Sequence, residues 1–363
     1  MWLFTTKPVT LKTFVATFAA VALALFLYHT VIYFLFTSKV LNVTPPKYIG
    51  DLARLSYQGE FIDVRMHEVT LPKEHLEGAD YRGQPVDILT VGDSFSNGGA
   101  SGINPYYQDY IASEQGLSVL NIRTLKATGD NVAQTLIALE RSGMLDAIHP
   151  RAVILGTGSR EIVRRFGGTL TWESPLSAEA VRAEMAQMRR HELARYQLQN
   201  VPILNTANYK FLYYTLGYLE KPCMGKVCRL ELKRKLFSVE RGDGLLLYRK
   251  TVENIPQITE KSIARVNDNI NAIARRLRAK GIDLYFLVAV SKYDLYHDEI
   301  AANPFPEDPL FDLLEAQKKE YRLINTKHIL KPLVERGEMD VFYADDTHWS
   351  YKASEAIVRD TAF

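Results

Sequence analysis

The chain has 363 residues, 47% hydrophobic and 24% charged, a balance that fits a folded globular protein and not a disordered one. Lys and Arg total 44 against 42 for Asp and Glu, so a net charge of +2 supplies no broad basic field for a phosphate backbone and argues against nucleic acid as a partner. The length suits one large domain with an insertion, or two modest ones.

Thr13 to Phe36 (TFVATFAAVALALFLYHTVIYFLF) carries no formal charge, and roughly 20 apolar residues cross a bilayer as a helix. Ala22-Leu23-Ala24 offers a small-x-small cleavage site, but the apolar run continues well past it, which a signal peptide does not require. We therefore expect a cytoplasmic tail over 1–12, an uncleaved transmembrane anchor over 13–36, and an extracytoplasmic remainder. Lys7 and Lys12 precede the span and Lys39 and Lys47 follow it, so the short tail before a long domain, more than the charges, sets the orientation. His29 is expected to reach the membrane interface. Residues 37–85, with Pro45, Pro46 and Pro72 and no long amphipathic pattern, read as a stalk and lead-in.

From Val86 the rhythm changes. VDILTV is a strand rich in β-branched residues, NPYYQDYIASEQ a helix, SVLNIR a strand, DNVAQTLIALERSGMLDAI a helix and RAVILG a third strand. That alternation predicts an α/β fold, with a central parallel sheet covered by helices on both faces. It lapses over about 167–258, where aromatic and charged helical pieces such as SAEAVRAEMAQMRRHELARYQLQ read as an insertion. The insertion holds the two cysteines, Cys223 and Cys228, in KPCMGKVC. In an oxidising compartment this pair closes a small disulfide loop; without neighbouring Cys or His it makes a poor zinc site, and no metal is expected. TEKSIARVNDNINAIARRLRAKG then carries an apolar stripe of Ile263, Val266, Ile270, Ile273 and Leu277 ending at Gly281, a covering helix. DLYFLVAV follows as a fourth strand, LFDLLEAQKKEY as a helix, MDVFYAD as a last short strand and SYKASEAIVRDT as a final helix. The catalytic domain is expected over 86–363.

Loops at the carboxyl ends of parallel strands carry the working residues of such sheets, and Ser94 in TVGDSFSNGG lies in one. A serine at a strand-to-helix turn exposes its hydroxyl, and the backbone N–H groups that follow can point at an oxyanion. Far along the chain, FYADDTHWS places Asp345, Asp346 and His348 after a short strand and before a helix. A serine hydroxyl needs a histidine to take its proton, and the imidazole needs a carboxylate to orient it. Each stretch alone has a plainer reading: a Gly-Asp-Ser turn in which Asp93 steadies the backbone, and a helix cap at Asp346 or Ser350.

With GDSFS after the first strand of the domain and DTHWS near the C-terminus, the chain resembles the SGNH (GDSL-type) hydrolase superfamily, in its alginate O-acetyltransferase-like branch. The resemblance implies an SGNH-hydrolase-like three-layer fold, Ser94 as nucleophile, His348 as base and Asp346 as the orienting carboxylate. Asp345 is the alternative, since ordinary esterases of the superfamily use Asp-x-x-His. Gly129 in KATGDN would serve the oxyanion. Arg160 after the third strand, with Lys292 and Tyr296 in SKYDLY, matches further features of the branch; Trp349 would stack on a sugar ring. Arg160 could equally pair with Glu161, and Lys292, Tyr296 and Trp349 could serve the core. The Gly-x-Asn-Asp block of the superfamily is absent, GTGSRE standing in its place, and in some alginate acetyltransferases the Asp-x-His precedes the serine. The function implied is O-acetylation of a secreted polysaccharide, with no cofactor and with a membrane-bound O-acyltransferase as the partner that relays acetyl groups. A carbohydrate esterase and a non-catalytic glycan-binding assembly subunit are the alternatives.

Overall fold

A strand covered on both faces needs an unbroken apolar run, and ILTVG and AVILGTG have one: every residue of both is buried. The computed structural model describes residues 10–41, 47–129, 131–174, 176–190 and 201–363. Along the chain its strands are β1 (Lys47–Tyr48), β2 (Arg65–Met66), β3 (Leu76–Glu77), β4 (Ile88–Gly92), β5 (Val119–Arg123), β6 (Ala152–Gly158), β7 (Cys223–Met224), β8 (Val227–Glu231), β9 (Gly244–Tyr248), β10 (Asp283–Ala289) and β11 (Arg322–Asn325). The helices used below are α1 (Leu11–Ile32), α2 (Asp51–Ser56), α3 (Tyr107–Glu114), α4 (Val132–Arg141), α5 (Thr206–Glu220), α6 (Glu260–Arg278), α7 (Lys292–Tyr296), α8 (Thr326–Glu335) and α9 (Tyr351–Asp360).

Six strands form one parallel sheet in the order β11-β10-β6-β4-β5-β3. Helices α4 and α6 pack on it as one group, and α3, α8 and α9 as another, giving an α/β fold of three layers. The five apolar residues of the α6 stripe are buried, and a capping box between Thr259 and Ser262 starts that helix. At about 1.5–3 kcal/mol for each fully buried aliphatic side chain, this stripe alone supplies a large share of the adhesion between helix and sheet. From β4 the chain passes to β5 on one side and then returns to β6 on the other. The strand order therefore reverses at β4, and the crevice beyond the carboxyl ends there is where such sheets hold ligands.

Several boundaries differ from the sequence reading. Residues 339–345 form no strand: Phe342 makes only an isolated bridge to Trp349, and the sheet is completed instead by β11. The reason is where the carbonyls go. Those of Tyr343, Ala344 and Asp346 accept from Lys292 Nζ, and that of Asp345 accepts from the N–H groups of Leu52 and Ala53, leaving no ladder to form. The helix expected over 130–148 breaks at Gly143, whose φ of +77° suits glycine, and the helix expected at 310–321 stops at Glu315. The 177–199 piece is helical over Ala178–Met185; the rest of it beyond residue 190 lies outside the described residues.

The stalk reading of 37–85 is corrected as well. Residues from Tyr48 to Glu77 pack into the domain: β3 joins the main sheet, and the Gly50 N–H, Asp51 and Arg65 all bond to the loop that carries His348. Most of the 1–12 tail lies outside the described residues. Helix α1 runs on through a π-helical turn at Tyr33–Thr37 to form one rod, Leu11–Leu41, long and apolar enough to cross a membrane. In the region read as an insertion, β7, β8 and β9 form a small antiparallel sheet, and Cys223 and Cys228 are joined in a disulfide across the β7–β8 hairpin.

Candidate active site

Two loops meet beyond the carboxyl ends of β4 and β6. After β4 the chain turns sharply through Asp93 and Ser94. Asp93 fixes the turn, its carboxylate accepting from the N–H groups of Phe95 (3.1 Å) and Gly158 (2.8 Å) and from the Arg165 guanidinium. Ser94 is left exposed at the tip, and among the described residues nothing accepts a hydrogen bond from its own N–H. Against it stands His348, whose Nε2 lies 2.7 Å from Ser94 Oγ and whose Nδ1 lies 2.6 Å from Asp346 Oδ1. A carboxylate only accepts, so Nδ1 carries the imidazole hydrogen and the Nε2 lone pair faces the hydroxyl. The same Asp346 oxygen accepts from the His348 N–H at 3.0 Å, which locks the ring against the loop.

Asp345 is turned elsewhere. Its oxygens accept from the Gly50 N–H (2.7 Å) and from Arg65 (2.7 Å), and it makes no bond to the imidazole. Arg65, which the sequence did not single out, spans both loops. Besides Asp345 it donates to Asp346 (3.3 Å) and to the Ala100 carbonyl of the serine loop (3.0 Å), with its guanidinium 3.7 Å from the Tyr343 ring centre. Asp51 at the start of α2 accepts from the Thr347 N–H and hydroxyl, at 2.9 and 2.8 Å. Nothing in the short elements around Gly50, Asp51 and Arg65 marks them at the level of sequence.

Charge sets the proton positions. Burial disfavours the imidazolium of His348, but Asp346 outweighs it, with Asp51 and Asp93 adding to the pull, so His348 titrates above the ordinary 6.5. Asp346, although buried, is held below the usual carboxylate value by His348 and Arg65. Burial and the Asp346 charge push Asp51 up to about 6. The expected result is a kcat/KM that rises with pH along a limb whose midpoint lies above 6.5, because a base must be neutral to take a proton. In Asp346→Asn the midpoint should fall; a pH–rate profile of both proteins measures it. The raised value also contributes stability that is present below the unfolded histidine's 6.5 and lost as pH rises through the folded value.

Gly99 closes the other side of the pair. A Cβ at this position would sit 2.8 Å from His348 Nε2 and 2.9 Å from the Ser94 carbonyl. Gly99→Ala should therefore lower kcat by about 10²-fold, the usual cost of displacing reacting groups by an ångström. Because the Cβ also meets the backbone carbonyl of Ser94, some loss of thermal stability should accompany it.

The remaining candidates separate. A small cleft adjoins the pair, and its walls include Asp93, Phe95, Arg160, Tyr248, Lys292 and Thr347. Arg160 lies at this cleft, its guanidinium 4.7 Å from the Tyr248 ring centre and 3.3 Å from Glu161. Lys292 is nearly buried, and its Nζ donates to the carbonyls of Tyr343, Ala344 and Asp346 at 2.8, 2.8 and 3.2 Å. Burial draws this amine down to about 7 against the raising effect of Asp345, Asp346 and Asp51, and its three acceptors match the three donors of the ammonium form. Lys292 is thus a tether of the His348 loop, not an open ligand for substrate.

Tyr296 is corrected to a core residue: it is fully buried and bonds the Phe342 N–H. Trp349 is buried too, packed on Phe95 at 4.7 Å between ring centres, with no face free for a sugar. Gly129 has its N–H committed to the Lys126 carbonyl at 3.0 Å, closing a turn, and is not an oxyanion donor in this geometry. Among the described residues no group of His, Cys, Asp and Glu has the arrangement of a metal site.

Residues 241–362 match the family model for the SGNH hydrolase-like domain of the acetyltransferase AlgX. That segment is therefore similar to an SGNH hydrolase-like domain. No curated protein matches the chain. The matched segment runs from just before β9 to just past α9, so it includes Lys292, Asp346 and His348 and leaves out Ser94. Its start at residue 241 places the last part of the stretch read as an insertion within the matched segment. The match indicates an acyltransferase or esterase kind of chemistry.

Proposed function

We propose that the chain is a membrane-anchored, extracytoplasmic O-acetyltransferase that acetylates an exopolysaccharide through an acyl-enzyme on Ser94. The observation that carries this reading is the hydrogen-bonded series Ser94 Oγ, His348 Nε2, His348 Nδ1 and Asp346 Oδ1, at 2.7 and 2.6 Å. In the first half-reaction Ser94 Oγ attacks the acetyl carbonyl while its proton moves to His348 Nε2, and Asp346 balances the charge of the imidazolium. The uncommitted Ser94 N–H is the donor we assign to the developing oxyanion. Collapse breaks the bond to the donor's leaving group, which takes the proton from His348. A sugar hydroxyl then gives its proton to His348 and attacks the acetyl-serine; the bond to Ser94 Oγ breaks, Oγ takes that proton back from His348, and the acetylated sugar leaves.

Support for the cellular setting comes from the apolar rod Leu11–Leu41 and from the Cys223–Cys228 disulfide, which suits an oxidising compartment. Acetyl-CoA is cytoplasmic, so acetyl groups would have to be relayed across the bilayer, and a membrane-bound O-acyltransferase is the partner we propose for that step. The Arg160 guanidinium and the Tyr248 ring give the cleft a donor and an aromatic surface suited to sugar hydroxyls and ring faces.

The exposure of Ser94 favours a second reading, a carbohydrate esterase, because water can reach the acyl-enzyme. The purified chain, incubated with a chromogenic acetyl ester with and without oligosaccharides, separates the two. Acetylated oligosaccharide detected by mass spectrometry supports transfer. Acetate alone, at every acceptor concentration, supports hydrolysis. No ester turnover would favour a non-catalytic glycan-binding subunit.

A further inference from the structure

Helix α5 is apolar on the side that faces away from the protein. Tyr209, Leu212, Tyr213, Leu216 and Leu219 fall at helical spacing on one face, with Tyr213 64% and Leu219 79% exposed. The only charged residues of the helix are Lys210 near its start and Glu220 at its end. The opposite face is engaged: Ala207, Asn208 and Phe211 are buried, Tyr218 donates to the Val227 carbonyl at 3.1 Å, and Tyr214 lies 5.7 Å from Tyr57.

What α5 packs against locates it. Asn208 Nδ2 donates to His29 Nδ1 at 2.8 Å, so His29 Nε2 carries the ring hydrogen and donates to Tyr209 Oη, also at 2.8 Å. Tyr28 Oη donates to the Asn208 carbonyl, and Phe36 stacks on Phe211 at 4.3 Å. His29 is thus satisfied by α5 and does not reach outward for water, which replaces the interface role expected of it. Phe36 ends the charge-free run and Tyr28 lies eight residues before it, so these contacts fall within about the last 12 Å of the span at 1.5 Å per residue. That is the depth at which amphipathic helices rest at the boundary of headgroups and acyl chains, and tyrosine is enriched there. Exposed Lys210 on α5 and Lys221 just after it suit lipid phosphates.

We propose that α5 is a membrane-surface helix whose Tyr209, Leu212, Tyr213, Leu216 and Leu219 face lies in lipid beside the N-terminal span, seating the domain on the bilayer. The proposal rests on reading Leu11–Leu41 as a bilayer span. It has a consequence for the active site: Tyr57, in contact with Tyr214, directly follows α2, whose Asp51 holds the His348 loop. The cleft is therefore held at a fixed height above the membrane and does not swing on a tether.

Both native cysteines are joined in the disulfide, so a single introduced cysteine can be labelled without removing either. The full chain, reconstituted in phosphatidylcholine vesicles containing doxyl-labelled lipid, would carry an environment-sensitive fluorophore at Leu216→Cys or Leu219→Cys. Phe26→Cys in the span and Lys261→Cys on α6 serve as references. The expected result is loss of fluorescence to doxyl lipid at 216 and 219 comparable with that at 26, together with protection from aqueous iodide; position 261 should behave oppositely. If 26 is quenched by lipid while 216 and 219 respond only to iodide, α5 lies in water, and the proposal is overturned with the anchor intact. Protection of 216 and 219 from both quenchers would mean that a protein covers the face, which also overturns it. If 26 itself escapes doxyl lipid, the span reading fails and the proposal with it.

Discussion

Ser94→Ala should lower kcat/KM for an acetyl ester by about 10⁴-fold or more, and Asp346→Asn by about 10⁴-fold, while both proteins remain folded. Ser94 is exposed at the loop tip and makes no packing contact that the truncation removes, so the serine variant reports chemistry alone. The asparagine variant acts through the tautomer. Asp346 Oδ1 accepts both the ring and the backbone N–H of His348, and an amide NH₂ in its place would face the ring nitrogen as a donor. Nε2 would then carry the hydrogen and could not accept the Ser94 proton. Asp345→Asn provides the contrast. Asp345 serves the Gly50 N–H and Arg65 and does not touch the imidazole, so this variant should lose thermal stability and retain far more activity than Asp346→Asn. Steady-state kinetics and melting curves on the three proteins give the ranking; equal activity losses at 345 and 346 would contradict it.

Arg65→Met should carry the largest stability cost. The guanidinium is buried with two carboxylates, Asp345 at 2.7 Å and Asp346 at 3.3 Å, which are themselves fully buried. Burial works against the charge of Arg65, and the two aspartates more than restore it. Without Arg65, two like charges face each other in a dry site, and breaking a buried pair in this way typically costs about 3–5 kcal/mol. The sign of the pH dependence follows. Burial and Asp346 already raise Asp345 against the pull of Arg65 and the Gly50 N–H, and losing Arg65 would raise it further. A carboxylate whose folded value lies above its unfolded value favours folding at low pH, so the deficit should narrow as pH falls from about 8 to about 5. Denaturant melts of the full chain in detergent at the two pH values measure this. Arg65→Lys, which keeps the charge and loses the fork, should fall between.

Ser94, His348 and Asp346, which the structure brings together, stand out in the sequence for a physical reason. GDSFS follows the apolar run of β4 at a strand's carboxyl end, and DTHWS follows another apolar run, although that one forms no strand. The choice between Asp345 and Asp346 was harder, because neighbouring residues in an irregular loop point in different directions that no periodicity reports. The supports of the site were illegible. Asp51 and Arg65 belong to elements six and two residues long, and Gly50 caps the first of them; such pieces are too short to show a pattern, and only tertiary contact gives them a role. Lys292 and Tyr296 were noticed, but sequence does not distinguish a side chain that lines a cleft from one tucked beneath it. The false strand at 339–345 had the right apolar residues, but its carbonyls are taken by Lys292 and by α2. The true edge strand RLIN is short and follows a charged segment, so the same criteria passed over it.

Trapping the acyl-enzyme is the most direct measurement. The full chain, mixed with a chromogenic acetyl ester, quenched in acid and digested, should yield the peptide containing Ser94 with one added acetyl group. That adduct should vanish in Ser94→Ala and disappear from the wild-type protein when an oligosaccharide acceptor is added before the quench. Ester turnover with no acetyl on Ser94, or undiminished in Ser94→Ala, would contradict nucleophilic catalysis by this serine.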